Sequence, residues 1–465
     1  METKKRLNRK EKGGIWAAPT VKLALVGVLT LVMLIPMAYI KSLIRERMNR
    51  KEQVIREIDR QWGNEVLMAG PVLQIPYNEY ETVTYYQNGE KKKERRLVAE
   101  RRLYIMPDSV HVRTRLQATP KRKGIYRTTV YHADAQLSGQ FSFGTPKKAG
   151  VDPKDILWDK AKVLFLSTNR KGIEERMGFR SGKAEQPFYL QDSEAVSEIL
   201  ENGAGTAGVN VFATEVVPAG HLANGGKMEF EMRYRVRGSR RFRFIPLGVD
   251  TEMEVQSDWN DLSFTGEFLP VSTRSLTGKE GKGVSARWKI IDYQRPIGKF
   301  YRDKLPWFAR YAFGLRFLVP VDDYLKSERS AKYAYLIIFL TFLVFFMMQH
   351  LSGIPMHTVH YFLTGLALVV FYVLLLSFSE HIRFNAAYWI SAVATVGLLA
   401  WYAKAVLRSR RFASFVLAAL SGLYVYIYVI IQLENYALLA GSIGLFLIVA
   451  GLMYASVKIN WTGDR

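Results

Sequence analysis

Apolar runs in the last third of the chain constrain its fold most strongly. A helix needs about 20 predominantly apolar residues to cross a bilayer. Five such runs follow one another with short polar connections, and a sixth lies near the start, an arrangement that a water-soluble core does not explain. We therefore predict six membrane spans, at 23–40, 333–348, 361–378, 387–402, 412–431 and 438–455.

The first apolar run follows the basic segment "KKRLNRKEK", so a secretory signal peptide is the alternative interpretation. The run is longer than the 7–15 residues, roughly, of a signal-peptide core, and no A-x-A-like cleavage site follows it. The sequence continues directly into "AYIKSLIRER", a charged helical pattern. We therefore interpret the first run as an uncleaved membrane anchor.

Lys and Arg in short loops predict the orientation, because they concentrate on the cytoplasmic side. Both termini are predicted to be cytoplasmic and the long region between spans one and two extracytoplasmic. The basic stretch after span one conflicts with this rule, but long domains translocate largely regardless of charge. The residues used are Lys4, Lys5, Arg6, Arg9, Lys10, Lys12, Lys404, Arg408, Arg410, Arg411, Lys458 and Arg465.

The region between the spans has a β pattern after an initial helix. Residues 41–60 repeat apolar side chains at helical spacing, whereas "GIYRTTVYHADAQLSGQFSF" and "KMEFEMRYRVRGSRRFRFIPLG" alternate with a period of two. Asn88-Gly89 is a strong hairpin signal, and "SEAVSEIL" at 193–200 predicts a short helix. Residues 145–205 are the least patterned and are interpreted as an insertion or an elaborate loop.

These patterns predict an α+β membrane protein with a mainly antiparallel, sandwich-like extracytoplasmic domain. One transmembrane helix precedes that domain and five follow it. The predicted segments are a cytoplasmic basic N-terminus at 1–20, a transmembrane helix at 21–40, an amphipathic connecting helix at 41–63, a periplasmic β-rich domain at 64–330, a five-helix transmembrane bundle at 331–459 and a cytoplasmic C-terminus at 460–465.

The charge and cysteine content restrict the partners. The formal net charge is +23 and there is no cysteine, so disulfide and thiol chemistry are excluded. On the outer side of a membrane, a basic surface meets anionic lipids or other envelope components rather than nucleic acid. The predicted partners are the lipid bilayer and such components, while a protein partner or a second copy of the chain also fits the sequence. No cofactor is predicted.

Three motifs were considered for chemistry, and none predicts a catalytic, cofactor-binding or metal site. "GAGTAG" matches a dinucleotide-binding pattern but follows a helix and precedes a strand, the reverse of the required order. His132, Asp134 and Ser138 share one face of a strand, which is common on solvated faces. The cluster of His350, His357 and His360 lacks the carboxylate or cysteine that would complete a metal site.

Charged residues flank the outer ends of spans two and three. Glu380 and His381 end span three, while Arg329 and Lys332 precede span two. Because a partly buried carboxylate gains from a nearby cation, we predict a structural polar cluster of Arg329, Lys332, Glu380 and His381. In this hypothesis Glu380 or His381 bonds the Arg329–Lys332 segment. The alternative is that these side chains simply extend from the helix ends toward water.

The segments "DDYLKSERSAKYAYLIIFLTFLVFF" and "YFLTGLALVVFYVLLLSFSEHIRFNAAYWI" resemble the CreD family of bacterial inner-membrane proteins. "GPVLQIPY", "GEFLPVS" and the order of the spans extend the resemblance over nearly the whole chain. The departures lie in residues 145–205 and in the basic N-terminus. The resemblance implies an inner-membrane location and a role in cell-envelope integrity or envelope stress response, with no established catalytic residues.

Three functions therefore remain in competition. The first is a non-enzymatic inner-membrane protein whose periplasmic β domain supports the envelope. The second is a transporter or lipid-handling protein, since five bunched spans can form a cavity; a water-filled groove lined by polar residues at membrane depth would distinguish it. The third is a hydrolase in the outer domain, which requires acids, or serine and histidine, clustered in one pocket.

Overall fold

A computed structural model describes residues 19–87, 90–144, 149–201, 206, 208–277, 282–318, 323–352, 354, 356–433 and 436–457. The described chain forms two compact units. One unit contains the first helix as far as Glu52 and the helices that follow the last strand, and the other runs from Gln53 to that strand. Several residues named in the sequence analysis lie outside the described ranges: the basic residues of 1–18, Asn88, Gly89, residues 203–205 and 207, Lys458 and Arg465.

The described helices account for the predicted helical segments. They are α1 (Pro19–Trp62), α2 (Ser193–Ile199), α3 (Asp323–Lys332), α4 (Ala334–Ser352), α5 (Thr358–Ser379), α6 (Phe384–Leu407), α7 (Arg410–Gln432) and α8 (Ala437–Val457). The predicted connecting helix is the second half of α1, which is continuous with the first apolar run. The predicted helix at 193–200 is α2, whose N-terminus is capped by the Asp192 side chain accepting from Ala195 N at 2.8 Å.

Sixteen strands form the β unit, and among the described pairs only β1–β10 and β3–β11 are parallel. Their order is β12, β16, β10, β1, β5, β8, β7, β6, β9, β4, β3, β11, β14 and β13, with β2 beside β1 and β15 beside β2. The strands are β1 (Val66–Gln87), β2 (Glu90–Ile105), β3 (Ser109–Lys123), β4 (Tyr126–Ser142), β5 (Lys162–Ser167), β6 (Gly178–Ser181), β7 (Ala184–Leu190), β8 (Asn210–Thr214), β9 (Lys227–Ser239), β10 (Arg241–Ile245), β11 (Asp250–Ser257), β12 (Leu262–Gly266), β13 (Ser272–Leu276), β14 (Gly283–Ile291), β15 (Phe300–Arg302) and β16 (Phe313–Phe317).

The sheet packs against itself to enclose a core. Tyr131 of β4 contacts Phe242 of β10 edge-to-face, with ring centroids 6.1 Å apart. Phe165 of β5 lies 5.0 Å from Tyr234 of β9, whose hydroxyl bonds Ser167 at 2.8 Å. These contacts join strands from the two halves of the strand order, so the mainly antiparallel domain is sandwich-like. The alternation of β9 places its buried side chains in this core.

One prediction about the β unit needs correction. Residues 145–205 are neither an insertion nor a loop, because they supply β5, which pairs with both β1 and β8. β5 is almost wholly buried and therefore shows no alternation. The alternating run 227–248 forms two strands. It divides at Arg240, a non-glycine residue with φ +58°, and continues as β10 beside β1.

The bundle unit contains long apolar helices. Among the described residues, four are long and apolar enough to cross a bilayer: Leu23–Trp62, Thr358–Ser379, Phe384–Leu407 and Ala413–Gln432. A fifth span is possible if α3 and α4, which are bent by 44°, are counted as one. The apolar part of α8, Ala437–Gly451, is shorter. The chain is therefore a membrane protein by composition, and six spans remain a prediction.

The last turns of α1 pack on the β unit. Lys121 Nζ and the Arg237 guanidinium lie over the Trp62 ring, at 4.6 Å and 5.2 Å from its centroid. Asp59, which is 7 % exposed, pairs with Arg240 Nε at 2.7 Å. A buried ion pair and two cation–π contacts fix this end of the helix on β3, β9 and the turn after β9.

Candidate functional site

Polar side chains from five helices meet at one end of the bundle unit. We call this group the membrane-end polar cluster, and it consists of Arg47 of α1, Lys326, Ser327 and Glu328 of α3, Ser379 and Glu380 at the end of α5, Asn385 of α6 and Gln432 of α7. Most of these residues follow or precede apolar stretches, so their place at helix ends follows from the hydropathy pattern. Their mutual contacts depend on the tertiary packing.

A chain of hydrogen bonds connects the helices in this cluster. Lys326 Nζ donates to Gln432 Oε1 at 3.0 Å, and Gln432 Nε2 donates to Asn385 Oδ1 at 2.6 Å. The hydroxyls of Ser327 and Ser379, both buried, are 3.5 Å apart. These contacts connect α3 with α5, α6 and α7, so the segment that enters the bundle is attached to three of its helices.

The described ion pair of Glu380 is with a residue that the sequence hypothesis did not include. Arg47 Nε lies 3.2 Å from Glu380 Oε1, and the Glu380 side chain is only 16 % exposed. The contact is an ion pair without hydrogen-bond alignment. Arg47 follows the first apolar run along α1, so this pair connects α1 with the end of α5. No sequence signal identified it, because the two residues are more than 300 positions apart.

The other members of the predicted polar cluster lie at the same end of the bundle. Arg329 and Lys332 occupy the last turn of α3. His381 is exposed in the turn after α5, where its backbone N–H donates to Phe378 O at 3.0 Å. A bond between Glu380 or His381 and the Arg329–Lys332 segment stays a prediction. Ser327 and Ser379 instead provide the described contact between these two parts of the chain.

The opposite end of the bundle has its own polar contacts. Tyr361 OH at the start of α5 donates to Gln349 Oε1 near the end of α4 at 2.9 Å. His360 Nδ1 is 2.7 Å from Tyr402 OH, near the end of α6. The start of α5 therefore lies beside the end of α4 and beside the end of α6, so these three helices alternate in direction. Arg408, Arg410 and Arg411 lie at the α6–α7 connection on this side.

The second concentration of charge lies on the β unit. Outward-facing side chains of β3, β4, β9 and β11 form what we call the charged sheet face. It comprises His111, Arg113 and Arg115 of β3, Asp134, Gln136 and Ser138 of β4, Glu231, Arg233 and Arg235 of β9, Glu252 and Glu254 of β11, and Arg180 of the adjoining β6. Alternation along each strand places these polar groups outward and the apolar ones in the core.

Ion pairs across neighbouring strands neutralise much of this face. Arg233 Nε donates to Asp134 Oδ1 at 2.8 Å and its terminal nitrogen binds Asp134 Oδ2, while Arg235 Nε binds Oδ2 at 3.2 Å. The hydrogen bond from Arg233 lowers the pKa of the Asp134 carboxyl. Glu252 accepts from Arg287 at 3.0 Å, and this hydrogen bond lowers the pKa of Glu252.

Arg113 and Arg115 differ from their neighbours. Both side chains are exposed. In the described part of the chain, neither guanidinium group makes a hydrogen bond or an ion pair. In register, Arg113 stands between Glu254 and Gln136, and Arg115 stands between Gln256 and Asp134. A cleft of about 540 Å³ and a second of about 250 Å³ open beside them, and both are lined by Arg113, Gln136 and Arg233. Guanidinium groups in an open polar cleft can bind a phosphate or carboxylate through two parallel hydrogen bonds.

The strand residues considered as a catalytic group have separate partners. His132 Nδ1 is 2.9 Å from Glu174 Oε1, and its ring meets Trp62 edge-to-face. Asp134 is held by the two arginines, and Ser138 lines the larger cleft. The glycine-rich motif at 203–208 falls between α2 and β8, so its described flanks have the helix-then-strand order that the sequence indicated.

The histidines near the ends of α4 and α5 have described contacts with their own helix or with a neighbouring helix. His350 Nδ1 lies 2.9 Å from Phe346 O, one turn earlier. Within the described ranges, no three His, Cys, Asp or Glu side chains stand together as a metal site would require. Those contacts fix the positions of helix ends.

Comparison with known proteins identifies the family. Residues 18–462 match the family model described as inner membrane protein CreD. The chain belongs to the CreD family. It is similar to the inner membrane protein CreD of Escherichia coli (strain K12), with 26% identity over 436 residues, which cover 93% of this chain and 91% of that protein. Together with the apolar helices, the family makes this chain a multi-pass inner-membrane protein and confirms the resemblance read from the sequence.

Proposed function

We propose that this CreD-family chain is a non-enzymatic inner-membrane protein that supports envelope integrity. In this proposal the β unit lies in the periplasm and its charged sheet face binds an anionic envelope component. The observation that carries the proposal is the pair Arg113 and Arg115, which stand beside open clefts without a described carboxylate partner. Their neighbours Arg233 and Arg235 are paired with Asp134.

The orientation rests on the two ends of the bundle. The cations Arg408, Arg410 and Arg411 lie at the α6–α7 connection. Arg47 and Lys326, which flank the β unit in the sequence, both lie at the membrane-end polar cluster. Because short loops rich in Lys and Arg stay in the cytoplasm, the β unit is assigned to the periplasmic side.

A cell-based test separates binding by this face from a general effect of charge. Cells lacking the gene are complemented with the wild-type chain, with Arg113→Ala/Arg115→Ala, or with Arg287→Ala/Lys289→Ala. Entry of a dye that intact envelopes exclude and release of a periplasmic enzyme are measured at matched protein levels. The first double variant is expected to fail to restore the barrier.

The second double variant is the matched control, because it removes two positive charges that contact Glu252 from β14 of the same sheet. It is expected to restore the barrier. Equal function of both variants would refute the role of the sheet face. Turnover of a lipid or glycan by the purified chain, lost on changing His132 or Asp134, would refute the non-enzymatic assignment and support the hydrolase alternative.

One observation favours lipid handling as the second candidate. A groove of about 480 Å³ lies between α4, α7 and α8 and is lined by apolar side chains and by Gly422, Gly444 and Gly451. Its apolar lining suits an acyl chain better than an ion or a polar solute. A Cβ atom at Gly422 would meet no atom within 4 Å, so Gly422→Leu can fill the groove. Crosslinking of a photoreactive phospholipid to the wild type, but not to this variant, would support the lipid-handling candidate.

A further inference from the structure

The hairpin formed by β1 and β2 continues well beyond the rest of the sheet. From Tyr80↔Leu97 to Gln87↔Glu90, eight consecutive residue pairs contact one another. The described pairing of β1 with β5 ends at Gln74, and that of β2 with β15 ends at Leu103. At about 3.4 Å per residue, this extension, which we call the hairpin arm, is about 27 Å long.

The base of the hairpin arm is fixed on the β unit. Arg95 binds Asp155 Oδ2 at 2.6 Å and lies over the Tyr80 ring at 4.4 Å. Nearer to the rest of the sheet, Arg101 of β2 binds Glu79 of β1 at 2.5 Å. The described side chains of the distal part, beyond Arg95, are exposed, among them Tyr86 at 73 % exposure. A two-stranded ribbon that is exposed on both faces is marginally stable by itself in water. We therefore expect the large side chains of the arm to contact another molecule or surface.

Its two faces differ in charge. Directly opposed residues of antiparallel strands share a face, so Tyr86, Lys91, Thr84, Lys93, Thr82, Arg95, Tyr80 and Leu97 lie on one face. We call this the basic face, and it carries three cations and no acid. The other face carries Lys92 and Arg96 with Glu81, Glu90 and Glu94, so its formal charge is 2 − 3 = −1 against +3 for the basic face.

We propose that the basic face of the hairpin arm docks on an anionic phospholipid surface. Tyrosine rings have an apolar body and a polar tip and concentrate at bilayer interfaces. Lysines near an anionic bilayer are attracted to it by the surface potential. Arg95 at the base of this face is paired with Asp155. Tyr86 at the tip, with Lys91 and Lys93 beside it, combines both properties on the one face of the arm that has no carboxylate of its own.

The arm is less suited to a different partner, namely an extended protein segment that would pair with one of its strand edges. Free strand edges pair readily with other strands unless charged side chains, especially Lys, protect them. β2 presents Lys91, Lys92 and Lys93 in succession along the arm. The lysine run therefore opposes strand addition and leaves the lipid surface as the occupant.

The absence of cysteine allows a test with single labels in the full chain. Tyr86→Cys and Tyr85→Cys place an environment-sensitive fluorophore on opposite faces of the arm. Tyr293→Cys, at a residue 93 % exposed on the β unit, is the control. The labelled chains in phosphatidylcholine nanodiscs are mixed with vesicles of phosphatidylcholine, with or without phosphatidylglycerol, and a parallel set is embedded in nanodiscs that contain phosphatidylglycerol.

The label at 86 is expected to shift to the blue only where phosphatidylglycerol is present, more than the label at 85, while the label at 293 stays unchanged. Vesicles and nanodiscs distinguish docking on a separate bilayer from docking on the same one, and a shift in either arrangement supports the proposal. No shift at 86 in either arrangement, or equal shifts at all three positions, would overturn it.

Two charge variants test whether the basic face itself is required. Lys91→Gln/Lys93→Gln is expected to weaken binding to the anionic surface about 25-fold at low salt, since each lysine contributes about fivefold. Lys92→Gln/Arg96→Gln removes the same amount of positive charge from the other face, and this variant should weaken binding to the anionic surface much less. Equal weakening by both would show attraction by net charge alone and would contradict docking by one face. The hairpin arm is separate from the charged sheet face, so either proposal can fail without the other.

Discussion

The membrane-end polar cluster and the charged sheet face both gather charge, but in different environments. At the bundle end, a few polar residues each connect different helices, and Glu380 is largely withdrawn from water. On the sheet face, many charges stand side by side on neighbouring strands, and most of their side chains are well exposed. A charge removed from the first should therefore affect stability, whereas one removed from the second should mainly affect binding.

Glu380→Ala should have the largest effect on stability. It leaves Arg47 without its described ion pair and removes the connection between α1 and α5. We expect a loss of about 1–3 kcal/mol, as for hydrogen-bonded or paired charged groups, seen as a lower midpoint of thermal unfolding in detergent. Glu328→Ala is the control, since Glu328 is more exposed and 4.0 Å from Arg45. Additive losses in Arg47→Ala/Glu380→Ala would contradict a direct pair.

Asp134→Asn should act in two opposite directions. Arg233 and Arg235 lose their shared carboxylate, so the free energy of unfolding should fall by up to about 1 kcal/mol. Arg233 then becomes available beside Arg113, while Arg235 keeps its ion pair with Glu175, so binding of inorganic polyphosphate should become severalfold tighter. Denaturant titration and binding assays on the full chain in nanodiscs measure the two effects. Glu254→Gln removes one negative charge from the same face without releasing these arginines, and an equal gain there would argue against their specific role.

Acidification should separate the two regions further. The pKa values of Asp134 and Glu252 are lowered by hydrogen bonds from Arg233 and Arg287. The pKa of such a carboxyl in the unfolded chain is about 4. Above that pH the ionised group stabilises the folded state, and this stabilisation is lost as the pH falls through the lower pKa of the folded state. Stability should therefore decline below about pH 4, and less in Asp134→Asn. An unchanged acid profile in that variant would contradict the assigned ion pairs.

Arg180→Ala should have the smallest effect. Arg180 is exposed and contacts Glu185 and Glu231 at 3.9 Å and 3.6 Å. Exposed ion pairs of this kind contribute little, since water and salt screen them. The midpoint of denaturant unfolding should stay within experimental error of the wild type. A loss as large as that of Glu380→Ala would remove the distinction between the two regions.

Local sequence determined much of the fold. Apolar run length predicted the helices of the bundle, helical spacing predicted the second half of α1, and period-two alternation predicted β4 and β9. These signals are local because a helix or a half-buried strand shows its environment within a few residues. The same reasoning failed at β5, whose burial on both sides hides the alternation, and it did not reveal that one continuous pattern divides at Arg240 between two parts of the sheet.

The site was predictable only in part. The sequence placed Glu380 at a helix end and predicted that a cation would compensate it, but only the packing of α1 on the bundle brought Arg47 to it. In the same way, the alternation of β3 turned Arg113 and Arg115 outward, and the register set them opposite Glu254 and Asp134. Only the side-chain packing gave Asp134 to Arg233 and Arg235 and left Arg113 and Arg115 without a described ion pair. Residue type and period decide which side chains face water or lipid. Which charges meet depends on contacts between distant segments, and those are set only when the whole chain has folded.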